Sequence, residues 1–104
     1  MFSETVNAIA ELLIDRGDTV SVAESSTGGL ISANLLSVPG ASAYFQGGSV
    51  VYTRASRREF LDLDRDRVSR LKPLTEEMVA EFALAAREKL KTTWGIAELG
   101  AAGP

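Results

Sequence analysis

Residues 19–38 read TVSVAESSTGGLISANLLSV, and their reading decides the fold. Thr19 to Ala23 is short, β-branched and alternating, which predicts a strand. Leu30, Ile31, Leu35 and Val38 can share one helical face, and Pro39-Gly40 stops that helix. Between the two lies the polar turn Glu24-Ser25-Ser26-Thr27-Gly28-Gly29. Strand, turn and helix in this order form the repeating unit of an α/β sheet.

The same logic extends to both sides. Upstream, Val6, Ile9, Ala10 and Leu13 make one apolar stripe over Ser3 to Arg16, with Ser3 suited to the N-cap and Gly17 to the C′ position. Downstream, Ala41 to Phe45 allows one helical turn, and Ser49 to Tyr52 reads as a second strand. Arg54 to Leu61 is weakly helical, while Asp62 to Lys72 alternates charges and reads as a solvated loop or frayed turn. Thr75 opens a last helix with Glu76 and Glu77 at its start, Lys89 and Lys91 at its end, and a stripe of Val79, Phe82, Ala83, Ala86 and Leu90. Trp94 to Ala97 is a third strand, followed by the Gly-rich run 99–104. The expectation is a layered α/β/α sandwich around a small parallel or mixed sheet, one domain over residues 1–104. A third strand as the last element suggests that a C-terminal part is lacking.

Composition narrows the chemistry. The 104 residues include no Cys and no His, which excludes disulfides, thiol nucleophiles, Cys/His zinc sites and a Ser-His-Asp triad within the chain. Acid–base work would fall to carboxylates, Lys, Tyr or Arg. Fourteen acids against 11 bases give a net charge of −3, which argues against a dedicated nucleic-acid binder. The chain contains no apolar run long enough for a membrane span and no basic segment before one, so a cytoplasmic protein without membrane contact is expected. A three-stranded sheet leaves edges, which predicts a homo-oligomer.

Four segments can carry chemistry. In the Ser25–Gly29 turn, free N–H groups at a helix start, together with hydroxyls and glycines, suit an anion such as a phosphate; a plain N-cap is the other reading. Glu24 beside an anion would repel it, so it is expected to hydrogen-bond hydroxyls or backbone instead. Gly47-Gly48, after Pro39-Gly40-Ala41-Ser42, suggest close packing or a ligand wall. Arg54, Arg57 and Arg58 can clamp a phosphate or carboxylate, or simply face solvent. The Gly100 to Gly103 run can form a concave amide site or a plain loop.

AESSTGGLISANLLSVPGAS, then YFQGGSVVYT, then an ending of the form GIAxxGxAGP together resemble the CinA C-terminal domain family, which includes bacterial nicotinamide mononucleotide deamidases. The resemblance covers nearly the whole chain in order. It implies hydrolysis of the carboxamide of nicotinamide mononucleotide to the acid and ammonia, with no metal or organic cofactor. The small-molecule partner would be a pyridine nucleotide or another phosphate-bearing ligand. Ser25 then falls on the motif serine, nucleophile or carboxamide anchor, with Ser42 and Tyr52 as further catalytic positions. Ser26 replaces the family Cys, and Thr27, Gly28, Gly29, Gly47, Gly48, Gly100 and Gly103 fall on binding positions. Arg57 stands where deamidases have Lys, and Leu99 where they have Thr. Arg stays protonated at working pH and cannot readily take the serine proton. The alternatives are a diverged relative, a non-catalytic nucleotide- or phosphate-binding protein, and an inactive truncated fragment.

Overall fold

The computed structural model describes residues 3–101. Helix α1 spans Ser3–Arg16, strand β1 Val20–Glu24, α2 Leu30–Leu36, β2 Phe45–Val50, α3 Arg54–Leu61, α4 Arg65–Val68, α5 Glu76–Leu90 and β3 Trp94–Ala97. A single 3₁₀ turn covers Ala41–Ala43. The sheet is wholly parallel in the order β2-β1-β3, with Val20 paired to Phe45 on one side and to Trp94 on the other. No helix among the described residues is long and apolar enough to cross a membrane.

Strand β1 is buried along its whole length because helices cover both faces. Its alternation sorts side chains into two cores. Val20 and Val22 pack with Ala10, Leu13, Leu35 and Tyr44 under α1 and α2. Ala23 packs on the opposite face with Val51, Leu61, Phe82, Ala85 and Ala86 under α3 and α5. The fully buried Tyr44 donates its hydroxyl to the Leu35 carbonyl at 2.5 Å, tying the end of α2 to the start of β2.

Several boundaries differ from the sequence reading. Helix α1 spans Ser3–Arg16 as read, with Ser3 inside the helix rather than as its N-cap. Strand β2 begins at Phe45, four residues before the expected Ser49, and takes in Gly47 and Gly48. A Cβ at Gly47 would meet Leu90 of α5, and one at Gly48 would meet Ser32 of α2. These glycines therefore let helices approach both faces of an edge strand, at the cost of the β-propensity that would have marked it. The charged stretch after Asp62 contains the short helix α4, which Asp64 caps by accepting the Arg67 N–H at 2.9 Å. Arg67 also reaches Glu81 and Glu88, so part of the charge alternation serves surface ion pairs. In α5, Thr75 caps the start as expected, but the buried stripe is Met78, Phe82, Ala85 and Ala86. Leu90 is half exposed.

The ring of Phe82 is 1% exposed at the centre of the α5 layer. Phe82→Ala is expected to cost ~3–5 kcal/mol, measured as a lower urea midpoint at unchanged m-value. A cost below about 1 kcal/mol, well under the range for a buried aromatic, would contradict the seating of α5 on the sheet.

Candidate functional site at the carboxyl edge of the sheet

Parallel strands bring all their carboxyl ends to one edge. Strand β1 leaves toward α2 on one face, whereas the connection from β2 to β3 runs through α3 to α5 on the other. Such a reversal opens a crevice beside the strand ends, where open α/β sheets place their ligands. At this edge lie the Ser25–Gly29 loop after β1 and Glu98 to Gly100 after β3.

Glu24 organises the loop. Its side chain is 0% exposed, and Oε1 accepts from Thr27 Oγ1 (2.7 Å), the Gly29 N–H (3.1 Å) and the Ile31 N–H (3.0 Å). Oε2 accepts the Ser32 N–H at 2.9 Å. Desolvation pushes this carboxyl up, but the Thr27 hydroxyl and the Ser32 and Ile31 amides outweigh it and hold the pKa below the ordinary 4.5. Glu24 thus bonds hydroxyl and backbone, as expected, and the consequence reverses another expectation. The N–H groups at the start of α2 are not free, because the chain's own carboxylate takes them. To wrap around it, the loop turns left-handed at Gly28 (φ 61°) and Gly29 (φ 105°), conformations costly to side-chain-bearing residues.

A second carboxylate, which the sequence reading did not single out, faces the outer side of the loop. Glu98 Oε1 accepts the Ser25 N–H (2.7 Å), the Thr27 N–H (3.1 Å) and Thr27 Oγ1 (2.7 Å). Its Oε2 accepts Ser26 Oγ at 2.5 Å. Desolvation again raises the pKa; the Ser26 and Thr27 hydroxyls and the Ser25 and Thr27 amides overcome it and hold Glu98 down at about 2. The only signal in the sequence is an acidic residue just past the last predicted strand.

The structure places the remaining site residues as follows. Ser25 is buried and donates Oγ to the Gly100 carbonyl at 3.1 Å, while Ser26 is exposed. A Cβ at Gly100 would strike Ser26, so glycine there permits the close approach of the two segments. Tyr52 lies just past β2 at the same edge, after Val51, whose N–H donates to the Glu24 carbonyl at 2.7 Å. Arg57 donates Nε to the Val51 carbonyl (3.0 Å) and Nη2 to the Tyr52 carbonyl (3.2 Å), with its guanidinium 4.9 Å from the Phe82 ring centroid. It braces α3 against the end of β2, a role that its spacing from Arg54 and Arg58 does not reveal. Arg58 pairs with its neighbour Glu59, so Arg57 and Arg58 are each engaged by groups of the chain itself. Ser42 sits in the 3₁₀ turn before β2, at the amino edge of the sheet. Some five residues of strand, roughly 16 Å at about 3.3 Å per residue, separate it from Ser25. Gly47 and Gly48 lie inside β2, beside Ser21 and Val22 rather than at the crevice. Gly103 lies outside the described residues. Among the described residues no group of His, Cys, Asp and Glu could hold a metal ion.

Three α/β layers with a hydroxyl-rich loop, a tyrosine and the end of a third strand at one sheet edge define the class of protein. The particular family follows from comparison: the profile of the CinA C-terminal domain family matches residues 3–104, and the chain belongs to that family. A CinA-like protein from Parasynechococcus marenigrum is 42% identical over 98 residues, covering 94% of this chain and 23% of the relative. Another, from Cyanothece sp., is 39% identical over the same shares. A solved CinA superfamily structure from Escherichia coli superposes with a TM-score of 0.90 at 25% identity, covering 100% of this chain and 60% of that one. One from Klebsiella pneumoniae gives 0.88 at 27% identity, covering 98% and 64%. The chain thus spans about a quarter of the curated relatives' length and under two thirds of the solved chains.

The depressed pKa of Glu98 makes a prediction about acid stability. Its contribution is fully present above the ordinary 4.5 and is lost as pH falls toward about 2. Urea unfolding between about pH 5 and about pH 2.5 should therefore cost the wild type more stability than Glu98→Gln. Equal losses would show that the carboxylate is not held by the loop.

Proposed function

We propose that this domain carries amidase chemistry at the carboxyl-edge crevice: hydrolysis of the carboxamide of nicotinamide mononucleotide, or the corresponding reaction of a diverged relative on another phosphate-bearing ligand. The reading is supported above all by the meeting of the Ser25–Gly29 loop, Tyr52 and Gly100 at one sheet edge, in a chain of the CinA family. In this reaction the Ser25 oxygen adds to the carboxamide carbon, ammonia leaves with the serine proton, and water then cleaves the ester.

One observation favours a second reading, a nucleotide-binding domain without turnover. Positioned acid–base groups contribute about 10²–10⁴-fold to such reactions. The position where the resemblance calls for lysine is held by Arg57, which stays protonated and is tied to the Val51 and Tyr52 carbonyls. Ammonia release from nicotinamide mononucleotide should therefore be slow, and Ser25→Ala should abolish what remains. Turnover unaffected by Ser25→Ala would overturn the role of that serine. Ligand-dependent melting without turnover would select the binding reading.

Self-association is proposed alongside. Strands β2 and β3 are edges among the described residues, and Trp94 and Leu12 expose 50% and 62% of their surface beside β3. Light scattering at high micromolar concentration should find dimers or larger species; a monodisperse monomer would refute this.

A further inference from the structure

The donors that face the crevice already have an occupant. The Ser25 and Thr27 amides and the Ser26 and Thr27 hydroxyls all point at one carboxylate, that of Glu98, over distances of 2.5 to 3.1 Å. This set is distinct from the start of α2, whose amides are taken by Glu24. Two amides and the Ser26 hydroxyl, with the Thr27 hydroxyl shared between this carboxylate and Glu24, suit any oxyanion, since each donates one hydrogen to an oxygen lone pair.

The two carboxylates differ in how firmly they are fixed. Glu24 is fully buried and could leave only by opening the loop and α2 together. Glu98 is half-buried, and no cation pairs with it among the described residues. Its main chain is anchored independently, through the Glu98 N–H to the Ala23 carbonyl at 3.0 Å. Side-chain rotation alone can therefore withdraw the carboxylate and leave strand β3 in place.

We propose that Glu98 is an autoinhibitory contact: its carboxylate stands in for the oxyanion of a ligand, and a phosphate or carboxylate group must displace it to reach the Ser25–Thr27 donors. The proposal rests on the reading of this loop as a ligand site. It names the regulation of that site: anion affinity is set by competition with a tethered carboxylate. A tethered competitor acts at a high effective concentration, so its removal should be felt strongly. Its charge adds repulsion against any anion that approaches while it is in place.

The test titrates inorganic phosphate into the wild type, Glu98→Ala and Glu98→Gln at constant ionic strength, following the Ser25 and Thr27 amide resonances. Both variants should bind phosphate at least tenfold more tightly than the wild type, with the largest shifts at those two amides. A folded variant that binds within twofold of the wild type, or whose shifts lie elsewhere, overturns the proposal. Should both variants fail to fold, Glu98 is a structural tie rather than a displaceable one, and the proposal falls as well. The amidase reading is tested separately by ammonia release from the same proteins. Tight phosphate binding without turnover would refute that reading alone, whereas turnover without tighter binding would refute only the role of Glu98.

Discussion

A carboxylate buried without a cation sets the terms for the carboxyl edge of the sheet. Removing such a charge from water costs several kcal/mol even after relaxation. Glu24 meets that cost with four donors from the eight residues after it, three of them backbone amides at the start of α2. The arrangement forces the loop to fold back on the end of its own strand, and the left-handed turns at Gly28 and Gly29 follow. It also spends the dipole of α2 on an internal anion. The outer amides of Ser25 and Thr27 face the end of β3 as a result.

Parallel pairing then decides which residues can cooperate. With β1 central, whatever follows β2 or β3 arrives beside the Glu24 loop, and whatever precedes them lies a strand length away. Tyr52, Arg57, Glu98 and Gly100 fall on the first side, Ser42 on the second. The glycines of β2 serve the same geometry from the inside. They let α2 and α5 close on the two faces, which keeps the three layers in register with the loop.

Helices α1, α2, α3 and α5 were legible because their signals are local: the Thr75 cap and the α1 stripe need no knowledge of the fold. Helix α4 was not, since its charge alternation reads as a solvated loop. Strand β2 was misplaced because Gly47 and Gly48 look like a turn until the helices above and below them are known. The α5 stripe slipped for a related reason: its periodicity allows neighbouring faces, and only the position of the sheet selects Met78 and Ala85 over Val79 and Ala83. At the site, the serine-rich loop announced itself through its motif. Glu98 did not, since its meaning lies in contacts across more than 70 positions of sequence. Arg57 was equally opaque because its partners are main-chain carbonyls, which carry no sequence signature.

Thr27 stands between the two carboxylates, its hydroxyl oxygen 2.7 Å from each. A hydroxyl has one hydrogen to give. While Glu98 is in place, that hydrogen is contested, and whichever carboxylate lacks it faces oxygen lone pairs across the gap. The two carboxylates are therefore coupled through a single hydrogen: whatever engages the outer face of the loop also alters how well the buried charge beneath it is satisfied.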